Sequence, residues 1–149
     1  MRLAIEPEAG ASEEQIAAVE SELGRRLPIQ YRGWLRQTNG CLVGEYTRVP
    51  GIGEGTFSEI DAVEALPSIN RSSLNDLIPD DFLQVTISFG GSLAIKVEGD
   101  DYGSVWWASS WKAEVDGIQD EPSREIMVRL ADDWDSFLVM DFPEPKVRS

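Results

Sequence analysis

The chain has 149 residues, 42% of them hydrophobic and 9% aromatic, enough apolar surface to build the core of one compact domain over 1–149. Twenty-seven acids against thirteen bases give a net charge of −14, which repels phosphates and argues against nucleic acid as a direct ligand. There is no histidine and only one cysteine, Cys41, which excludes an intramolecular disulfide, a Ser-His or Cys-His nucleophile and the commonest metal ligand; no metal or cofactor is expected.

No run approaches the roughly 20 apolar residues that span a bilayer, and the apolar start of "MRLAIEPEAG" is too short for a signal peptide, so a soluble, cytoplasmic protein with no membrane partner is expected. Charge is uneven: −1 over 1–40, −5 over 41–80, −5 over 81–120 and −3 over 121–149. The acidic surplus lies mid-chain, where a cationic partner becomes conceivable.

In chain order, "ASEEQIAAVESELG" predicts a helix over 13–23: Ser12 and Gln15 form a capping box, Glu13 and Glu14 favour the positive end of the dipole, and Gly24 ends it. Leu27-Pro28 predicts a second helix, with Ile29, Trp34 and Leu35 on its buried side, Tyr31 and Arg32 nearer the margin, and Asn39-Gly40 as its stop. So short a connection folds the two helices into a hairpin. The signal then weakens over 41–80, which reads as loops around short elements, with a helical turn across 58–66.

Alternation returns in "LQVTISF", where Leu83, Val85, Ile87 and Phe89 share a face, and in "SLAIKVE", where Leu93, Ile95 and Val97 do. Gly90-Gly91 is the hairpin turn between these strands, "GDDYG" the next turn and "SVWWAS" a third strand, with Val105 and Trp107 on one face and Trp106 on the other. Leu130, Trp134, Phe137, Leu138 and Phe142 fall at helical spacings, with Asp132 as N-cap and Asp133 and Asp135 in the first turn. The expected fold is α+β: an antiparallel meander covered by the N-terminal helical hairpin and a C-terminal helix, with its core over 12–142 and a frayed tail over 143–149.

"GIGEG" at 51–55 lacks the spacing of a phosphate loop and sets Glu54 where an anion would approach, so it reads as a turn. The pairs Asp80-Asp81, Asp100-Asp101 and Asp132-Asp133 fit turn and cap chemistry; the competing use is a carboxylate-dependent hydrolase, which needs two carboxyls about 5–9.5 Å apart, one with a raised pKa. Arg25, Arg26, Arg32 and Arg36 read as a mixed-charge face rather than an anion site. Trp34 and Trp134 belong to the core, while Trp106 and Trp111, beside acidic turns, have the composition either of a protein-binding surface or of a loop packed over the sheet's second face.

Taken in order, Leu23-Gly24, Leu27-Pro28, Tyr31 with Trp34-Leu35, Asn39-Gly40, Gly90-Gly91, Gly103-Ser104-Val105-Trp106-Trp107 and Trp134 with Phe137-Leu138 resemble the SUKH superfamily, also called the Smi/Knr cell-wall-regulator-like family. The resemblance covers about 12–140; "SFGGSLA" departs from the acidic or Asn residue often found at that turn. It implies an α+β fold and, for most bacterial members, a non-enzymatic immunity protein that neutralises a cognate toxin, many such toxins being nucleases. Other members are regulatory scaffolds. A nuclease presents a cationic surface, which an acidic inhibitor can occupy. The residues expected to meet such a cationic toxin are Glu54, Asp80, Asp81, Asp100, Asp101, Trp106 and Trp111.

Overall fold

A computed structural model describes residues 3, 5–49 and 55–143; Glu54, most of the "GIGEG" turn and the tail beyond 143 lie outside the described residues. The elements run β1 (Glu6–Pro7), α1 (Glu13–Leu23), α2 (Ile29–Gln37), β2 (Cys41–Arg48), β3 (Thr56–Ile60), α3 (Leu66–Ile69), β4 (Phe82–Ser88), β5 (Gly91–Lys96), β6 (Val105–Ser109), α4 (Ser110–Asp116), β7 (Met127–Ala131) and α5 (Trp134–Val139). Two antiparallel sheets result, one ordered β1-β2-β3 and the other β4-β5-β6-β7. They meet where the Thr56 N–H donates to the Phe89 carbonyl at 3.1 Å. The fold is α+β.

α1 forms as its caps dictate. The Gln15 N–H donates to Ser12 Oγ at 3.1 Å and the Ser12 N–H to Gln15 Oε1 at 2.8 Å, while Gly24 closes the helix at φ +66°. Pro28 caps α2 rather than entering it, and α2 stops at Thr38. The helical hairpin is bridged by Arg32, which donates to Glu13 at 2.8 Å and to Glu20 at 3.1 Å. Arg36 also pairs with Glu13 and Arg25 with Glu98, so this arginine-rich stretch is a mixed-charge face. The buried side of α2 differs from expectation. Ile29 is 87% exposed, whereas Tyr31 is fully buried with Trp34 and Leu35, because the ring of Tyr31 meets Trp134 edge-on at 4.8 Å.

The segment 41–80 holds more structure than its pattern suggests. β2 and β3 pair through Cys41↔Ile60 and Arg48↔Thr56 with an irregular register between Leu42 and Thr47, which erases the alternation that would have marked them. The helical turn comes at 63–69, after a strand that takes up 56–60. Asn39 does more than stop α2: its Oδ1 accepts from the Val63 N–H at 2.8 Å and its amide donates to Glu64, tying the first helices to this segment.

At the C-terminus, residues 127–131 form a strand against β6, so the meander has four strands; the helix N-cap is Asp133, not Asp132, and Phe142 lies beyond the helix though it is buried. "ASSWKAEVDG" contains a helix, α4, capped by Ser109 and ended by Gly117 at φ +68°.

Both faces of the four-stranded sheet are covered. Leu83, Val85, Leu93, Ile95, Val105 and Trp107 join a core with α1, α2, α5 and the other sheet. Phe82, Ala94 and Ala108 join a second cluster with Ile78, Ala113, Ile126 and Met127. Phe57 sits at the centre of the first, 6.4 Å from Trp107, 6.2 Å from Phe137 and 5.9 Å from Phe142 between ring centroids. Truncating Phe57→Ala is expected to cost about 3–5 kcal/mol in urea unfolding, while Ile29→Ala stays within about 0.5 kcal/mol.

Candidate protein-binding surface

The four-stranded sheet carries the expected contact residues at opposite ends of β6. Asp80, Asp81, Asp100, Asp101 and Trp106 gather at one end, with the start of β4 and the turn before β6. Trp111 lies past the other end, where its backbone N–H donates to the Gly90 carbonyl at 3.3 Å. The structure therefore separates Trp111 from the aspartates. Glu54 lies outside the described residues.

At the acidic end the turn aspartates have different fates. Lys96 stands between two carboxylates, 3.3 Å from Asp81 and 2.9 Å from Asp101. Arg124 completes the pairing of Asp81 at 2.8 Å, and Arg129 bridges Asp101 at 3.2 Å and Asp132 at 2.9 Å. The cations also cover rings: Lys96 and Arg124 lie 5.5 and 5.8 Å from the centre of Phe82, and Arg129 lies 5.7 Å from that of Trp106. Trp106 is half-buried, its indole N–H satisfied by Ser104 Oγ at 2.8 Å. Asp80 and Asp100 are exposed, and neither side chain makes an ion pair with a described residue.

This electrostatics opposes acid–base chemistry. Burial would raise the Asp81 carboxyl, but Arg124 and Lys96 outweigh it and hold the group below its ordinary value; the Lys96 ammonium does the same for Asp101. Asp133 is lowered by the Ser136 N–H that it caps. None of these three offers the raised carboxyl that a glycosidase-type acid requires. Burial pushes the Cys41 thiol up to about 11, so it is not a ready nucleophile.

The opposite end is apolar and open. Gln84 pairs with Ala94 but Thr86 with Leu93, so an extra residue is inserted at Val85. Before this bulge Leu83 and Val85 face the large core; after it Ile87, paired with Ser92, points to the other face, and Phe89 follows it. Both had been expected in phase with Leu83. They are 42% and 67% exposed, next to Trp111 at 38%. Val115 follows Trp111 by one helical turn on α4 and is 63% exposed.

With this geometry in view, a family model described as the SMI1 / KNR4 family (SUKH-1) matches residues 10–140. The chain belongs to that family. No curated protein matches the chain. The match spans the ordered motifs from Leu23-Gly24 to Phe137-Leu138, so in this SUKH-1 chain they mark real elements: a helix end, a hairpin turn, an aromatic strand and the last helix. Among the described residues no helix is long and apolar enough to cross a membrane.

Sequence reasoning missed Lys96, Arg124 and Arg129 as partners of the aspartates. Lys96 carried a usable signal, being one of only two bases over 81–120. Ile87, Phe89 and Val115 carried none.

Because the folded-state carboxyls of Asp81 and Asp101 lie below their ordinary 3.8, ionised pairing stabilises the fold fully above that pH and is lost as pH falls through the lowered values. Lys96→Met is expected to cost about 1–2 kcal/mol at pH 7, since the pairs reach solvent. The difference from the unsubstituted protein should shrink in urea unfolding as pH drops below 3.8.

Proposed function

We propose that this protein is an immunity protein: a non-enzymatic binding protein that captures and neutralises a cationic toxin, such as a nuclease domain, encoded with it. The observation that carries the reading is the uncompensated charge on the described surface. Where Asp81 and Asp101 are neutralised internally, Asp80, Asp100, Glu114, Asp116, Asp120 and Glu121 are exposed and make no ion pair with a described residue. Such carboxylates add to a net charge of −14. They cost the fold little in water, and they raise the encounter rate with any surface built to hold phosphates. Membership of the SUKH-1 family supports a protein partner.

Of the residues first expected to make contact, Asp80 and Asp100 keep that role here as steering charges. Asp81, Asp101 and Trp106 serve mainly to hold the end of the sheet.

The reading is tested by tagging the protein in its native host, capturing partners and repeating the capture at raised salt. A basic toxin domain encoded nearby, held at low salt and released at high salt, is the expected result; no specific partner while the neighbouring genes are expressed overturns it. With the partner in hand, Asp80→Lys with Asp100→Lys should slow association about tenfold at low ionic strength and hardly at all at high.

A further inference from the structure

We propose that the partner docks on the face formed by the β4–β5 turn and α4, where Ile87, Phe89, Trp111 and Val115 make an apolar anchor site inside an acidic rim, and that its occupant is a basic protein surface with apolar side chains at the centre. The inference rests on the binding reading above and names its surface.

Three observations converge there. First, the bulge at Val85 turns Ile87 and Phe89 away from the large core. An uninterrupted strand would have kept Ile87 in phase with Leu83 and Val85; bulges recur where a strand must re-aim a side chain. Secondly, α4 sets its apolar residues on two sides. Ala113 is buried against the sheet in the smaller cluster, while Trp111 and Val115 share the outer side. Ser110 and Trp111 both donate to the Gly90 carbonyl, at 3.0 and 3.3 Å, so the start of α4 is fastened to the turn that follows Phe89.

Thirdly, acids outnumber bases beside it: Glu114 and Asp116 lie exposed on α4, against the single base Lys112. Of the other exposed apolar side chains, Ile29 and Val139 belong to the helices on the other side of the sheet, Leu42 to the β1-β2-β3 sheet, and Tyr102 is held by its hydroxyl donating to the Arg26 carbonyl at 2.8 Å. An apolar centre with a charged rim divides binding as interfaces usually do: the centre sets how long the complex lives and the rim how fast it forms.

The test places the photo-crosslinking residue benzoylphenylalanine singly at 89, 115, 29 and 139 in the tagged protein, expressed in its native host, with the unsubstituted protein captured in parallel. The expected result is crosslinking from 89 and 115 but not from 29 or 139, to the same basic protein that the unsubstituted chain captures. Phe89→Gln and Val115→Gln should then each speed dissociation of that protein about 30-fold, with urea midpoints unchanged and association rates nearly so. If the unsubstituted chain captures its partner but crosslinks run from 29 or 139, or from no position, the docking face is overturned while the binding reading stands. Crosslinking at 89 to a second copy of this chain, or to an acidic protein, also overturns it. If the unsubstituted chain captures nothing, the binding reading fails and the docking face with it.

Discussion

The buried indole of Trp107 is the constraint on which the rest of this structure depends. It lies on the core face of β6, fully enclosed, and two backbone segments approach it closely at glycines, one of which, Gly91, leaves no room for a side chain. A Cβ at Gly91 would come within 2.7 Å of the indole nitrogen and 2.1 Å of the Ala108 carbonyl oxygen; at Gly55 it would meet the same ring at 3.1 Å. Trp107 thereby fixes the β4–β5 turn and the entry to β3 together. From it a run of ring contacts passes through Phe57 and Phe137 to Trp134, Tyr31 and Trp34, joining β6, β3, α5 and α2. Rings of this size carry large buried area with few rotatable bonds, so one connected run can hold two sheets and two helices in register.

What could be read from the sequence follows from how local each cause is. The capping box at Ser12 and the left-handed Gly24 act within a few residues and appear where the pattern put them; the hairpin turn comes one residue earlier than expected, at Phe89-Gly90, because Gly91 already pairs with Ser88. Leu130 satisfies a helical period with Trp134 and Phe137, but pairing with β6, set by residues 19 to 26 positions away, makes residues 127–131 a strand. β2 and β3 were hidden for a related reason, since an irregular register removes the alternation that identifies a strand. The acidic end of the sheet was half legible. Aspartates at the turns were recognised, but their neutralising partners are distant in sequence: Arg124 is 43 residues from Asp81 and Arg129 is 28 from Asp101.

The two ends of the four-stranded sheet thus use charge differently. At one end opposite charges meet across Lys96, spread over Phe82 and Trp106, and close the sheet where β4 and β6 begin. At the other, Glu114 and Asp116 stand exposed on α4 without partners among the described residues. Internal pairing contributes nothing to long-range attraction, because an ion pair is nearly neutral beyond about a Debye length. The protein's field therefore comes from the unpaired carboxylates, and their distribution matters more than the total count of acids.

Rigidity decides whether an open apolar face can bind tightly. α4 has seven residues, too few to persist alone, and the fold supplies what its length cannot. Ser109 caps its first turn at 3.0 Å from the Lys112 N–H. Gly117 and Ile118 close its last by donating to Glu114 and Ala113 at 3.3 and 2.8 Å. Ala113 on its inner side and Ala94 and Ala108 beneath it are all small, which lets the helix backbone sit close on the sheet. Trp111 and Val115 are presented by a helix pinned at both ends, and Phe89 by a turn that Trp107 holds in place. A partner docking on such a face has little backbone to order, so more of the energy of burying its apolar centre appears as affinity.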